Sequence, residues 1–432
     1  MRSHTLLVAA FALLFLLCPI SAFCSGQTTN QHSLVWEQYY DEVYQGNAVK
    51  ALIGTSDGGY SFVATNVPYG TGVAPNAILY KLDSLGVVEW QKKFDGSTTI
   101  AGLVQTSDDG YVSVVDGDLV KMDSRGNTQW KRPISKDYVV NSMIQSTDGG
   151  FALSVTITTQ DFSSKIGLIK TDSEGKLEWE TTYDEGMGDV SSQLIQTADG
   201  NYTIVGYTNT GNASRTDVNS KDLLLLKINA SGGLVWRKTY NIGVSTSTDK
   251  SIVQTSDGGY VFTDNLRPVS IPIAIKTDSE GTIQWIKTYN DTGALAPPDV
   301  ISPLPSGRFP PAVNSVIVTS DGGLAFAGSS DYQQIWIIKT DASGNSEWNQ
   351  TYGDRGSYGY YENCFIESAD GNFLVGGYWR LRNSGYQFYV AKIQADLPIP
   401  TPSPTLKLSN SLSVFSAPLD YIILVVIVLI FY

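Results

Sequence analysis

The chain has 432 residues and a net charge of −13, and charged residues make up only 16% of it. An acidic surface repels nucleic acid and anionic lipid, so nucleic-acid binding is excluded as a function. The 41 glycines and 24 tyrosines favour an all-β protein with many turns, and the length suits two or three ordinary domains or one large circular array.

The N-terminus has the pattern of a secretory signal peptide over residues 1–24. Arg2 supplies the positive charge, residues 6–17 form a short apolar run, and small residues follow around Ser25. A retained signal anchor is the alternative. Removal of this segment leaves Cys364 as the single cysteine of the mature chain, so we expect no internal disulfide. On a secreted chain, N-glycosylation is expected at the five N-x-S/T sites, which are Asn201, Asn212, Asn229, Asn290 and Asn349.

A hairpin signal recurs seven times along the chain. Each copy directly follows a short strand that contains two adjacent apolar residues. Its first example is Thr55-Ser-Asp-Gly-Gly-Tyr60. We expect the Asp and the preceding hydroxyl residue to bond local backbone N–H groups, and the Gly or Asn two positions after the Asp to adopt positive φ. The strand before the turn is predicted to be buried on both faces. The seven turn aspartates are Asp57, Asp108, Asp148, Asp199, Asp257, Asp321 and Asp370.

A second signal follows each of the first six turns: Lys-x-Asp/Asn, a turn with Gly, and then Trp. The gap of seven residues from the Asp or Asn to the Trp is constant, which indicates a tight hairpin whose register is fixed. A further apolar or aromatic residue lies four positions after the Trp, on the same strand face. The six tryptophans are Trp90, Trp130, Trp179, Trp236, Trp285 and Trp348.

Each unit therefore contains four strands, and seven such units predict a single all-β, seven-bladed β-propeller over residues 34–396. The seventh unit lacks its Trp strand after Lys392-Ile-Gln394, whereas Trp36 lies in an unassigned strand near the N-terminus. We expect this N-terminal strand to complete the last blade and to close the ring, which removes the open sheet edges.

These repeats resemble known families. The Gly-x-x-x-Trp of the outer strand, as in Gly86 to Trp90, resembles the tryptophan-docking repeat of quinoprotein-type propellers. The longer pattern S-D-G-G-Y … K-T-D-S-x-G-x-x-x-W resembles the repeat of secreted propellers from archaeal and bacterial cell surfaces. The resemblance covers about residues 34–396 and implies the fold, but it implies no ligand.

Few residues are available for catalysis. The two histidines, His4 and His32, precede the first strand, which excludes histidine-based triads and zinc sites inside the ring. Cys364 is interpreted as a buried structural thiol. The turn aspartates could be calcium ligands or acid–base groups, but a residue present in every blade is better explained by the turn that every blade needs, so we predict no metal and no cofactor. The tryptophans, Trp36 included, are interpreted as packing residues.

Function is expected where the repeats differ, which is in the connections on the ring face opposite the two hairpin turns. These variable loops cover residues 64–76, 206–221, 290–312 and 378–387. Aromatic residues beside arginines suit stacking on sugars or on a partner protein, although mutual packing of the loops is the alternative. The candidate ligand-binding residues, all near the seventh blade, are Tyr358, Tyr360, Tyr361, Trp379, Arg380, Arg382 and Tyr386.

The C-terminal region has the composition of a stalk followed by a membrane anchor. Residues 397–411 are Pro-rich, and residues 412–432 form an apolar stretch that Pro418 and Asp420 interrupt. No basic residues follow it, so the expected cytoplasmic stop is missing. We expect an apolar, transmembrane-like helix here and display of the ring at the cell surface.

Three functions remain open. The first is an extracellular, membrane-anchored binding or adhesion module for a glycan, an envelope polymer or a surface protein. The second is a secreted enzyme, either a carboxylate-based glycan hydrolase or lyase or a quinone-dependent oxidoreductase. The third is a structural envelope component. The absence of a recognisable catalytic set favours the binding module; the oligomeric state stays open.

Overall fold

The computed structural model describes residues 33–44, 48–66, 76–97, 99–135, 137–159, 163–183, 188–209, 221–244, 250–266, 271–289, 311–330, 334–353, 360–381 and 385–395. These residues form 28 β-strands and no helix, so within them no helix is long and apolar enough to cross a membrane. The predicted signal peptide, stalk and apolar helix lie outside the described residues. By its internal contacts the chain divides into one compact unit ending at Asp396 and a second unit from Leu397.

The first three blades each take four consecutive strands. Blade 1 contains β2 (Ala48–Gly54), β3 (Tyr60–Asn66), β4 (Asn76–Leu82) and β5 (Val88–Phe94). Blade 2 contains β6 (Ile100–Gln105), β7 (Tyr111–Val115), β8 (Asp118–Met122) and β9 (Thr128–Pro133). Blade 3 contains β10 (Tyr138–Gln145), β11 (Phe151–Thr158), β12 (Ser164–Thr171) and β13 (Leu177–Tyr183).

The next three blades repeat this order. Blade 4 contains β14 (Val190–Gln196), β15 (Tyr202–Thr208), β16 (Lys221–Ile228) and β17 (Leu234–Val244). Blade 5 contains β18 (Ile252–Gln254), β19 (Tyr260–Leu266), β20 (Ile271–Thr277) and β21 (Ile283–Thr288). Blade 6 contains β22 (Ala312–Val318), β23 (Leu324–Ser329), β24 (Ile335–Thr340) and β25 (Ser346–Tyr352). One extra pair, Val244 opposite Leu266, joins the sheets of blades 4 and 5.

The seventh blade combines both ends of the ring. It contains β26 (Tyr360–Glu367), β27 (Phe373–Leu381), β28 (Gly385–Ile393) and, as its outermost strand, β1 (Leu34–Tyr44). Strand β1 pairs with β28 in antiparallel register, with Leu34 opposite Ile393 and Tyr40 opposite Phe388. The N-terminal strand therefore completes the last blade, as the position of Trp36 in the sequence predicts.

The innermost strands form the ring. Each contacts the innermost strands of both neighbouring blades, and β26 of blade 7 contacts β2 of blade 1. Hydrophobic clusters fill the space between successive blades: one joins Phe62 of blade 1 to Phe388 of blade 7. Since every blade faces two neighbours, no blade of the ring carries an open sheet face.

The core differs from the sequence prediction in one respect. The strands buried along most or all of their length are the second and third ones of the blades, such as β7 and β24, and not the innermost ones. An innermost strand such as β6 is only half buried because one side of it faces the central channel.

The outer hairpins join neighbouring blades through the tryptophans. A Cβ atom built on Gly86, whose φ is +80°, would lie 2.7 Å from the ring of Trp36, so only glycine fits there. The Tyr40 hydroxyl donates to the Gly86 carbonyl at 2.8 Å, so the strand from the N-terminus clamps blade 7 to blade 1. The same ring-to-glycine contact recurs between successive blades in the pairs Trp90/Gly126, Trp130/Gly175, Trp179/Gly232, Trp236/Gly281 and Trp285/Gly344.

Candidate functional site

The two hairpins of each blade lie on one face of the ring, which we call the turn face, and a charged cluster joins them there. In blade 1, Asp57 accepts hydrogen bonds from the Thr55 hydroxyl at 2.5 Å and the Gly59 N–H at 3.0 Å. The Lys81 ammonium lies 2.8 Å from the other carboxylate oxygen. Each of the seven blades has this ion pair; the other six are Asp108–Lys121, Asp148–Lys170, Asp199–Lys227, Asp257–Lys276, Asp321–Lys339 and Asp370–Lys392.

These contacts set the protonation of the turn carboxylates. Partial burial raises the pKa of Asp57, but its bonds with Lys81, Thr55 and Gly59 outweigh that effect and lower the pKa to about 2. The carboxylate is half exposed, whereas the lysine side chain is 5% exposed. A carboxylate held ionised by its own blade is suited to fixing a turn and not to exchanging protons.

The glycine prediction within the turn was wrong by one residue. The positive φ belongs to the residue directly after the Asp, which is Gly58 at +82° and Asp109 at +59° in blade 2. Gly59, one position later, is required by space, because a Cβ there would lie 2.3 Å from the Leu82 carbonyl oxygen.

The predicted seventh-blade residues lie mainly on strands and not in loops. Tyr360 and Tyr361 begin β26, Trp379 and Arg380 belong to β27, and Tyr386 belongs to β28. The expected loop over residues 378–387 was therefore placed too widely, because the strands continue to Leu381 and resume at Gly385. Tyr358 and Arg382 lie outside the described residues.

The blade separates these candidates into two groups. Tyr39 and Trp379 contact each other with ring centroids 5.1 Å apart, and Trp379 packs against the cluster shared with blade 6. Tyr378 and Tyr386 meet edge to face at 5.4 Å on the opposite side of the sheet, because adjacent strand residues point to opposite faces. Trp379 and Tyr386 therefore belong to two different aromatic pairs.

The innermost strands enclose a central cavity of about 1100 Å³. Its described lining includes Lys50, Asn141, Gln193, Asn314 and Cys364. Cys364 is half buried, and its Sγ lies 4.0 Å from the Val49 carbonyl oxygen. The interpretation of Cys364 as a buried structural thiol is correct only in part: Cys364 packs against the core between blades 7 and 1, but its strand has one side open to the channel.

The cavity lining contains charged groups that sequence reasoning missed. Asp116 accepts hydrogen bonds from the backbone N–H and hydroxyl of Thr99, at 2.9 and 3.1 Å. Lys250 forms an ion pair of 2.9 Å with Asp264, and both side chains are 1% exposed. The Lys250 ammonium also lies 5.3 Å from the centre of the Tyr207 ring in blade 4. Lys250 and Asp264 belong to no repeated motif, so the sequence offered no signal that pairs them.

Two of the predicted glycosylation sites lie within turns. Asn201 donates to the Asp199 carboxylate at 2.9 Å, and Asn229 accepts from the backbone N–H of Ser231 and Gly233. Among the described residues, no group of three His, Cys, Asp or Glu side chains could hold a metal ion.

Comparison with known proteins finds only distant structural neighbours. No protein-family model and no curated protein matches the sequence. Solved structures do resemble it. A protein of unknown function from Dyadobacter fermentans is 11% identical, with a TM-score of 0.46 over 84% of this chain and 98% of that one. A glucose dehydrogenase is 11% identical, with a TM-score of 0.42 over 69% and 96% of the two chains. A protein of unknown function from Bacteroides caccae is 12% identical, with a TM-score of 0.40 over 64% and 82%.

Proposed function

We propose that this chain is an extracellular, membrane-anchored binding module that recognises a glycan, an envelope polymer or a surface protein. The recognition site is the loop face of the ring, opposite the turn face, at the seventh blade. The observation that carries this proposal is the Tyr39–Trp379 pair, in which two large aromatic rings touch and Tyr39 keeps 38% of its surface exposed.

The chemistry of this pair supports recognition of sugars or of a protein side chain. An aromatic ring offers a flat apolar face to the C–H groups of a sugar, and a tryptophan or tyrosine adds a polar edge. Such residues dominate the binding energy of interfaces when they are held rigidly. Trp379 is held by the core shared with blade 6, so the pair is a rigid platform and not a flexible loop.

The location supports the same proposal. The repeated turn aspartates, lysines and tryptophans hold the turn face or join blades, whereas the aromatic pair on β1 and β27 has no equivalent among the described residues of the other six blades. Export and anchoring rest on the signal-like N-terminus, the Pro-rich stalk and the apolar C-terminal segment.

The test is a binding screen of the full-length protein against glycans and cell-envelope polysaccharides. We expect Trp379→Ala to weaken binding of the ligand found by at least tenfold, and Tyr39→Ala to weaken it less. Leu177→Ala is the matched control, because Leu177 is a 62% exposed apolar residue at an outer hairpin of the turn face. Each variant must keep a cooperative thermal transition. A ligand that binds Trp379→Ala as tightly as the wild type would refute the site, and the absence of any glycan ligand would remove the glycan class.

A further inference from the structure

Five of the seven innermost strands carry an extra residue at the same place. In blade 1, Val49 is opposite Ala64 and Ala51 is opposite Val63, so Lys50 has no partner across the ladder. We call these extra residues the bulge residues; they are Lys50 in β2, Asn141 in β10, Ser192 in β14, Asn314 in β22 and Asn363 in β26.

The five bulge residues occupy the same position in their strands, and four of them, Lys50, Asn141, Ser192 and Asn314, line the channel. Each lies five residues before the hydroxyl residue of its turn, as Lys50 lies before Thr55 and Asn314 before Thr319. A bulge bends its strand and changes the direction of a side chain, and bulges are frequent beside binding sites. Curvature of the strand explains the bulge itself, but it requires no particular residue there.

The residue types at this level are all polar. Two positions further along, the same strands are apolar in every blade, as Leu52 and Phe365 show. The cavity lining includes Lys50, Asn141, Ser192 and Asn314, which come from four different blades. The Ser192 side chain is 5% exposed, and its hydroxyl has no hydrogen-bond partner among the described residues. Four blades therefore contribute polar residues to the same level of the cavity lining.

Lys50 supplies a positive charge at this level. Lys50 is exposed and forms no ion pair with any described side chain, whereas Lys250 is paired with Asp264. The cavity lining also contains the Asp116 carboxylate, which accepts hydrogen bonds from Thr99. The Asn141 carbonyl oxygen accepts from the hydroxyls of Thr156 and Ser191, which leaves its NH₂ group to donate. An ammonium group with amide and hydroxyl donors matches an anion attached to a hydroxyl-rich molecule.

We propose that the four bulge residues that line the cavity form a binding site for the acidic group of an anionic oligosaccharide, with Lys50 as its charged anchor. The cavity has room for such a ligand, since its volume slightly exceeds the usual range for small-molecule sites. The acidic group is a carboxylate or a sulfate. This site is separate from the Tyr39–Trp379 pair, so either can fail without the other.

The experiment titrates the full-length protein with three trisaccharides: tri-galacturonate, a sulfated galactotriose and neutral galactotriose. Calorimetry gives the affinity, and protection of Cys364 from a maleimide, read by peptide mapping, reports occupancy of the cavity that Cys364 lines. We expect at least one acidic trisaccharide to bind ten times more tightly than the neutral one and to protect Cys364. The two acidic probes distinguish a carboxylate ligand from a sulfate ligand.

The variants decide whether Lys50 is the anchor. Lys50→Gln is expected to lower the affinity for the acidic trisaccharide at least tenfold, and Lys50→Arg is expected to retain most of that affinity. Lys93→Gln, which removes an exposed lysine from the outer strand β5, is expected to change nothing. Failure of both acidic probes to protect Cys364, equal binding of the neutral trisaccharide, or an unchanged affinity in Lys50→Gln would overturn the proposal.

Discussion

The turn face and the loop face of the ring differ in how their charged residues are paired. On the turn face, seven equivalent ion pairs join an almost buried lysine to a half-exposed aspartate, at 2.6–2.8 Å. On the loop face, Lys250 and Asp264 form a fully buried pair that has no equivalent among the described residues of the other blades. Lys50, at the equivalent position in blade 1, has no described partner and faces the channel.

This difference separates the residues that build the ring from those that distinguish one blade from another. A pair present in all seven blades serves a need that all seven share, which is to hold two hairpins together. A charge that occurs once must be explained by its own surroundings. Three substitutions test this difference. They are given in order of decreasing expected loss of stability.

The largest effect is expected from breaking the buried pair. Lys250→Met leaves the Asp264 carboxylate buried without its ammonium, which should lower the free energy of unfolding by about 3–5 kcal/mol. Urea unfolding at pH 7 measures this difference. Asp264→Leu in the same chain should restore most of the loss, because no buried charge then remains. If Lys250→Met alone were as stable as the wild type, Asp264 would have to be neutralised by another group.

A smaller effect is expected on the turn face. Lys276→Met removes the partner of a half-exposed aspartate, which water still solvates, so the loss at pH 7 should be about 1–2 kcal/mol. Burial raises the pKa of Asp257, but Lys276, Thr255 and Gly259 outweigh it and lower the pKa to about 2. A lowered pKa gives stability that is present above the unfolded pKa of about 4 and is lost as the pH falls through about 2.

The lowered pKa of Asp257 determines how the stability of the protein depends on pH. The wild type should lose stability between pH 4 and pH 2, and Lys276→Met should lose less over this window because its Asp257 pKa is less depressed. Urea midpoints at pH 7, 4 and 2.5 give the comparison, with Lys93→Met as the control for an exposed lysine. Equal slopes in wild type and Lys276→Met would refute the role of the turn pair.

The smallest effect is expected from one hydroxyl between blades. Tyr240 donates to the Gly281 carbonyl at 2.6 Å, and burial raises the pKa of its phenol, so the hydroxyl stays protonated as a donor. Tyr240→Phe removes this bond and keeps the ring, which should cost about 0.5–1.5 kcal/mol. Thermal unfolding beside Tyr138→Phe, whose hydroxyl bonds to the exposed Glu180, provides the comparison. An equal loss of stability in both variants would show that the hydrogen bond between blades contributes no more than an exposed one.

The ring could be predicted from the sequence because its signals repeat. The turn around Asp57, the Lys81 strand and the Trp90 strand recur with fixed spacing, and the displaced Trp36 indicates how the ring closes. Local spacing cannot show that Lys81 reaches back to Asp57, since that contact depends on how the third strand lies beside the first turn.

The candidate site could be predicted less well because it depends on exceptions to the repeat. A bulge such as that at Lys50 adds one residue without changing the apolar pattern of its strand, so the sequence gives no sign of it. The aromatic residues of blade 7 were expected in one loop, but the strands extend further than predicted. Because side chains alternate between the two faces of a sheet, Trp379 and Tyr386 lie on opposite faces.

The central claim is that the repeated charges hold the fold and the unrepeated channel charge binds ligand. The most direct test measures thermal unfolding and acidic-trisaccharide binding for Asp257→Asn on the turn face and Lys50→Gln in the channel. We expect Asp257→Asn to lower the melting temperature and to leave affinity unchanged, whereas Lys50→Gln should leave the melting temperature unchanged and lower affinity at least tenfold. Loss of affinity in Asp257→Asn, or full affinity in Lys50→Gln, would contradict it.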